Sequence, residues 1–192
     1  MKGLLKALDF SHEIIKGVVE KGDRVIDATA GNGHDTLFLA RRVGSEGKVY
    51  SFDIQKEAIE NTRKRLWEEK CLNQVELIQD GHENIRAYVS EGISGAMFNL
   101  GYLPGSDHNV ITRPQNTLLA LKSSLELLLP GGLVTLVVYT GHPGGEEEGV
   151  ELEKYTSKLN SNIFNVLLYR FINKEQAPFL IALEKIKIPF VL

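Results

Sequence analysis

The chain has 192 residues, a net charge of −3, 43% hydrophobic and 24% charged residues, and a single cysteine, Cys71. That length fits one domain around a single sizeable core, and the composition is ordinary for a globular protein. These figures exclude an internal disulfide or cysteine metal cluster and a whole-chain basic footprint for nucleic acid, and no apolar run approaches the roughly twenty residues that span a bilayer.

Residues 1–22 read as an N-terminal helical segment. Leu4, Leu5 and Leu8, then Ile14, Ile15, Val18 and Val19, recur at helical spacing as far as Gly22, a C-terminal stop. Ser11 is expected to cap a second helical piece, with Glu13 in its first turn. The apolar run is too short for a signal peptide and lacks a small-residue cleavage site, so a cytoplasmic location is expected. The segment should cover one side of a sheet; a lip over a ligand pocket is the alternative.

Arg24 to Arg42, RVIDATAGNGHDTLFLARR, organises the rest. Val25 and Ile26 end a buried strand at Asp27. Gly31-Asn32-Gly33 makes a tight turn, and Asp35 and Thr36 open a helix with Leu37, Phe38 and Ala40 on its apolar face. Strand, glycine turn and helix begin a nucleotide-binding α/β unit. Asp53 ends the next strand, Val49 to Phe52, at the spacing from Gly33 where an acidic residue reaches a ribose. A dinucleotide fingerprint wants glycine at the position of Thr36, and the carboxylates of Asp27 and Asp35 suit a cationic ligand better than a pyrophosphate. The sulfonium and amino group of S-adenosylmethionine meet that description; a nicotinamide cofactor is the alternative.

Downstream, Lys56 to Trp67 is a polar helix with Ala58, Ile59, Thr62 and Leu66 on one stripe. Val75 to Ile78 is a third strand, delivering Asp80-Gly81-His82 to the edge where open α/β sheets bind ligands. Asp80 or His82 would lie near an adenine there, though Asp-Gly also marks a plain turn. A short fourth strand, Ala96 to Phe98, runs into Asn99-Leu100-Gly101-Tyr102-Leu103-Pro104-Gly105. Pro114 suits the first turn of the following helix. Pro130-Gly131-Gly132 breaks that helix before an apolar strand, Leu133 to Tyr139, which ends in Thr140-Gly141-His142-Pro143. Glu146 to Leu159 is an acidic-fronted helix. Two final strands, Val166 to Ile172 and Phe179 to Ile186, suggest an antiparallel hairpin at one sheet edge. No repeat or linker divides the chain, so residues 1–192 are expected to form one domain. His12, His34, His82 and His108 are too scattered for a metal site.

Asp27-Ala28-Thr29-Ala30-Gly31-Asn32-Gly33 resembles the first motif of class I S-adenosylmethionine-dependent methyltransferases, with Thr29 replacing the usual first glycine. Together with His34-Asp35-Thr36, Phe52-Asp53-Ile54-Gln55, Phe98 to Gly105 and Gly141-His142-Pro143, it resembles one small bacterial family known as rRNA methylases. Some of that family methylate 5-aminomethyl-2-thiouridine at the anticodon wobble position of tRNA. The chain departs from the family at Thr140, where a histidine is expected.

The resemblance implies a Rossmann-like α/β fold, with a mostly parallel seven-stranded sheet, a C-terminal antiparallel hairpin and helices on both faces. S-adenosylmethionine would lie against Asp27, Thr29 and Gly31 to Thr36 of the first loop, then Asp53, Ile54 and Gln55. Asp80, Gly81, His82 and Asn99 would complete its surroundings, with tRNA as substrate. Asn99-Leu100-Gly101-Tyr102 looks like a variant of the Asn-Pro-Pro-Tyr loop of amino-group methyltransferases. Asn99 would aim the amine through its side-chain oxygen, Tyr102 would stack on the pyrimidine, and His142 would hold the loop, contact the substrate or serve as a base. Other acceptors, in rRNA or a small molecule, a nicotinamide-dependent oxidoreductase, a non-catalytic nucleotide-binding module, and a homodimer all stay open on these residues.

Overall fold

Five parallel strands place the glycine turn at the centre of the molecule. They are β1 (Arg24–Asp27), β2 (Lys48–Phe52), β3 (Val75–Ile78), β4 (Ile93–Leu100) and β5 (Leu128–Val138). The sheet is completed by β6 (Phe164–Tyr169) and β7 (Phe179–Lys185), in the order β3-β2-β1-β4-β5-β7-β6, with β7 antiparallel to both its neighbours. The strand order reverses between β1 and β4, which pair from Val25 opposite Gly95 to Asp27 opposite Met97. Ligands of open α/β sheets bind at the carboxyl ends of the strands beside such a reversal. The computed structural model describes residues 3–101, 113–141 and 143–186.

Strand alternation feeds two cores. Val25, Val49, Met97, Val137 and Leu180 point to one face, against α1 (Ala7–Lys16), α2 (His34–Val43) and α3 (Lys56–Glu68). Ile26, Phe52, Ala96, Phe98, Leu136 and Ile181 point to the other, against the short α4 (Ile85–Tyr88), α5 (Pro114–Leu127) and α6 (Gly145–Thr156). Because both faces are covered, the strands read as near-continuous apolar runs. Each fully buried Leu, Ile or Phe contributes roughly 1.5–3 kcal/mol, so the strand ends that carry the site are rigidly held. Among the described residues no helix is long and apolar enough to cross a membrane.

Several boundaries differ from the sequence reading. Ser11 does not cap a helix: α1 is continuous through it, and its buried hydroxyl donates to the Leu8 carbonyl at 2.8 Å. β4 runs on through Asn99 and Leu100, because these residues pair with Val137 and Val138 of β5. β5 starts at Leu128, opposite Ile93, and its pairing skips Leu129-Pro130-Gly131-Gly132 before resuming at Leu133 opposite Gly95. β6 begins two residues earlier than expected and ends at Tyr169, since its register is set by β7, from Phe164 opposite Lys185 to Tyr169 opposite Leu180.

Candidate active site

Backbone bonds carry the chain from β1 into the glycine turn. The Ala28 N–H donates to Met97 O and the Ala30 N–H to Phe52 O, extending pairing to both neighbouring strands. Gly31 and Gly33 then take φ of +53° and +77°, a region that favours glycine. At Gly33 a Cβ would also meet the Thr62 backbone and side chain of α3 at 2.9 Å. Arg65 Nε donates to Asn32 O, and Arg65 Nη2 lies 3.2 Å from His34 Nε2. Asn32 and His34 are therefore tied to α3.

Asp27 closes the inner wall of the turn. It is 0% exposed; one carboxylate oxygen accepts from the Thr29 N–H, and the other from Thr36 Oγ1 at 2.5 Å. Thr36 is equally enclosed and also bonds Ser51. Asp27 and Thr36 thus shape the loop from inside, without free surface for a ligand. Burial, then the nearby negative charge of Asp35, pushes the Asp27 carboxyl up to about 7. Below the ordinary carboxylate range folded and unfolded chains are both protonated at this residue. Between about 4 and about 7 only the folded chain holds the proton, so this group's contribution to stability falls as pH rises through that window. Asp27→Asn removes the titration and should flatten the decline of melting temperature between pH 4.5 and 8.5, by roughly 6–12 °C for about 3 kcal/mol. Parallel melting profiles for the two proteins would refute the assignment.

Asp53 follows β2 and faces the turn. Its Oδ2 accepts from the Gly31 N–H and its Oδ1 from the Gln55 N–H, both at 2.9 Å. Each oxygen retains acceptor capacity. Burial raises this carboxyl above its ordinary value, opposed by those two backbone bonds. Ile54, next in the chain, is 55% exposed, an apolar side chain at the rim.

The loop after β3 divides in function. Asp80 spends its carboxylate locally, on the Gly81 N–H, Asn84 Nδ2 and the Tyr88 hydroxyl, and these bonds hold it below the ordinary carboxylate range. His82 is buried, with Nδ1 3.1 Å from the Ala28 carbonyl. That carbonyl can only accept, so the proton sits on Nδ1 and leaves Nε2 as an acceptor. Burial pushes the imidazole toward neutrality.

Asn99 lies at the carboxyl end of β4, across the reversal point from the turn. Its backbone N–H donates to Thr29 Oγ1 at 2.8 Å, and its Nδ2 donates to Asp35 Oδ2 at 3.2 Å. Asp35 is 5% exposed, and its Oδ1 lies 2.7 Å from His12 Nε2 on α1. Tyr139, at the end of β5, is half-buried; burial and the Asp35 charge raise its hydroxyl above the ordinary value. His12 and Tyr139 join the site in addition to the residues expected from the sequence. A sign of His12 was there: with Ser11 it interrupts the apolar stripe of an amphipathic helix. The candidates Tyr102 and His142 lie outside the described residues.

Beyond these residues, α1, α2 and α3 border a groove of about 490 Å³ that meets a second of about 330 Å³ at His34 and Arg65. Five cations line the two: Lys16, Arg41, Arg42, Lys64 and Arg65, against the carboxylates of Glu68 and Glu69.

Comparison with known proteins bears on what this arrangement does. The family model described as "Putative rRNA methylase" matches residues 49–184. A tRNA (mnm(5)s(2)U34)-methyltransferase, chloroplastic, from Arabidopsis thaliana is 41% identical over 95% of this chain and 70% of that protein. A crystal structure described as a "putative rRNA-methylase" from Clostridium thermocellum superimposes with a TM-score of 0.94 at 43% identity, covering 96% of this chain and all of that one. A "putative methyltransferase" from Streptococcus mutans, solved in complex with SAH, gives a TM-score of 0.87 at 40% identity over the same shares.

Proposed function

This chain belongs to the rRNA methylase family and is an S-adenosylmethionine-dependent methyltransferase; from that premise we propose that its acceptor is an amine on RNA, the aminomethyl group of 5-aminomethyl-2-thiouridine at the tRNA wobble position. The nicotinamide-dependent oxidoreductase considered from the sequence is thereby set aside. All 192 residues are taken as one catalytic domain, the N-terminal helix included.

The cofactor, when bound, supplies a methyl group already activated by its sulfonium. The residues around the turn suit it. Gly31 and Gly33 leave backbone open to close approach, Asp53 keeps acceptor capacity for ribose hydroxyls, and Ile54 offers apolar surface to an adenine. The remaining task of the protein is to align an amine lone pair with that methyl. An alkylamine of pKa ~10.4 is on the order of 0.1% neutral or less near pH 7. Desolvation and a neighbouring positive charge lower that pKa, and the proton leaves to solvent.

The observation that carries the reading is the Asn99 amide. With Nδ2 donated to Asp35, its Oδ1 is the atom left to accept from an amine N–H. The Leu100 carbonyl, the second acceptor in this proposal, already takes the Tyr139 N–H at 3.3 Å and has its second lone pair for the amine. Tyr102 stays in the proposal as the stacking partner of the pyrimidine, and His142 as a loop or substrate anchor. The test is direct: purified protein, cofactor, tRNA lacking the terminal methyl, and nucleoside mass spectrometry. Gain of one methyl on the wobble aminomethyl group is expected; methylation only of rRNA or of free amines would overturn the substrate.

The basic groove supports an RNA partner in a chain whose total charge is negative. It includes Lys16 of α1, and Arg113 is exposed at the start of α5. Phosphate contacts release counterions, so affinity falls with salt in proportion to their number. Removing the exposed side chains Arg41 and Lys64, each to Ala, should weaken tRNA binding about tenfold. It should also flatten the slope of log affinity against log salt by about one per residue, with SAH affinity unchanged. An unaltered slope would take the RNA off this face.

A further inference from the structure

We propose that His12 is a positioning residue for methyl transfer, holding Asp35 so that the amide of Asn99 keeps its oxygen turned toward the acceptor amine. The inference rests on the reading of Asn99 as the group that aims that amine.

An asparagine amide has two nearly equivalent orientations, because its terminal torsion is broad and two-fold. Only one of them presents Oδ1 to a substrate. Asp35 selects it: an ionised carboxylate accepts and never donates, so the amide must turn Nδ2 toward Oδ2. A free aspartate side chain would itself rotate, and at 5% exposure it has little water to satisfy it. His12 fixes it from the far side, with Nε2 2.7 Å from Oδ1. The imidazole is in turn held flat on Phe38, ring centroids 4.2 Å apart and planes 4° from parallel. Three elements, α1, α2 and β4, thereby meet in one chain of contacts ending at the Asn99 oxygen.

The imidazole is more than a spacer. Without His12 the Asp35 carboxylate keeps Asn99 Nδ2 as its one side-chain donor among the described residues. A carboxylate held at one oxygen is free to turn about its broad terminal torsion. Once it turns, the amide of Asn99 is no longer fixed and can swing its nitrogen toward the substrate. That orientation offers an amine no acceptor.

The test uses the full chain with His12→Ala and His12→Gln. Glutamine carries an amide N–H that can replace the imidazole as donor to Asp35. In single-turnover methylation of undermethylated tRNA at saturating cofactor, His12→Ala should lower kcat about tenfold, leave the KM for tRNA within about twofold, and leave SAH affinity by calorimetry unchanged. His12→Gln should recover most of the rate. In an Asn99→Ala background His12→Ala should have no further effect. The Nδ2 proton pair of Asn99, assigned by its loss in Asn99→Ala, should shift in nitrogen-15 NMR spectra of His12→Ala and stay in place in His12→Gln, with no substrate present. If Asn99→Ala itself leaves kcat unchanged, the underlying reading of Asn99 fails. If Asn99→Ala lowers kcat but His12→Ala does not, or the two losses multiply, or the amide protons do not move in folded His12→Ala, the positioning role fails alone.

Discussion

Asp53→Ala is expected to weaken S-adenosylmethionine binding tenfold or more. Each charge-assisted hydrogen bond is worth roughly 1.5–3 kcal/mol, and in the proposed pose the Asp53 carboxylate accepts at least one ribose hydroxyl. The geometry adds a complication, because Asp53 also accepts the N–H groups of Gly31 and Gln55. The substitution therefore loosens the glycine turn as well as removing the proposed ribose acceptor. The two effects separate when the ligand is changed as well as the protein. If Asp53 accepts the ribose hydroxyls, a cofactor analogue lacking both should bind the parent weakly and lose little more in Asp53→Ala, a non-additive pair. If the aspartate only shapes the turn, calorimetry will show the two losses adding. Unchanged affinity for the intact cofactor would move the ribose elsewhere.

Asp53 was legible because its relation to the glycine turn is a matter of spacing: one strand, one turn, one helix, one strand. The two-sided core was legible for a similar reason, since strands covered on both faces are apolar throughout. Features set by remote pairing were hidden. Asn99 and Leu100 read as loop because a polar residue follows three apolar ones, yet β5 recruits both into the ladder. Pro130-Gly131-Gly132 read as a break, while Leu128 before it already pairs with Ile93. The site divides the same way. Gly31, Gly33 and Asp53 stand out in a one-dimensional pattern. The bond between His12 and Asp35 spans 23 positions and that between Asp35 and Asn99 spans 64. No local motif signals such contacts; they follow from the reversal of strand order that brings β4 beside β1. The roles expected of Asp27 and Thr36 changed for a related reason. Each spends its polar atoms on buried partners, and that partnership is invisible in spacing.

Asn99→Ala is expected to reduce turnover on the order of a hundredfold, the effect of losing about 3 kcal/mol of positioning in the transition state. Cofactor affinity should change by less than about threefold, or roughly 0.65 kcal/mol. The backbone bond from Asn99 to Thr29 Oγ1 survives the substitution, so the join between β4 and the glycine turn is retained. What is lost is the Nδ2 bond to Asp35 and the Oδ1 acceptor. The first loss bears on stability, since a buried carboxylate gives up one donor while keeping His12. The second bears on chemistry alone. If Asn99 serves only to satisfy Asp35, the variant will melt at a lower temperature and the folded fraction will turn over near the parental rate. If it aims the amine, the rate will fall even where the melt is unchanged, and raising the tRNA concentration will not restore it. Single-turnover methylation, a thermal melt and SAH calorimetry on the same preparation decide between the two. A folded Asn99→Ala protein that binds cofactor and methylates at the parental rate would move the acceptor amine away from the end of β4.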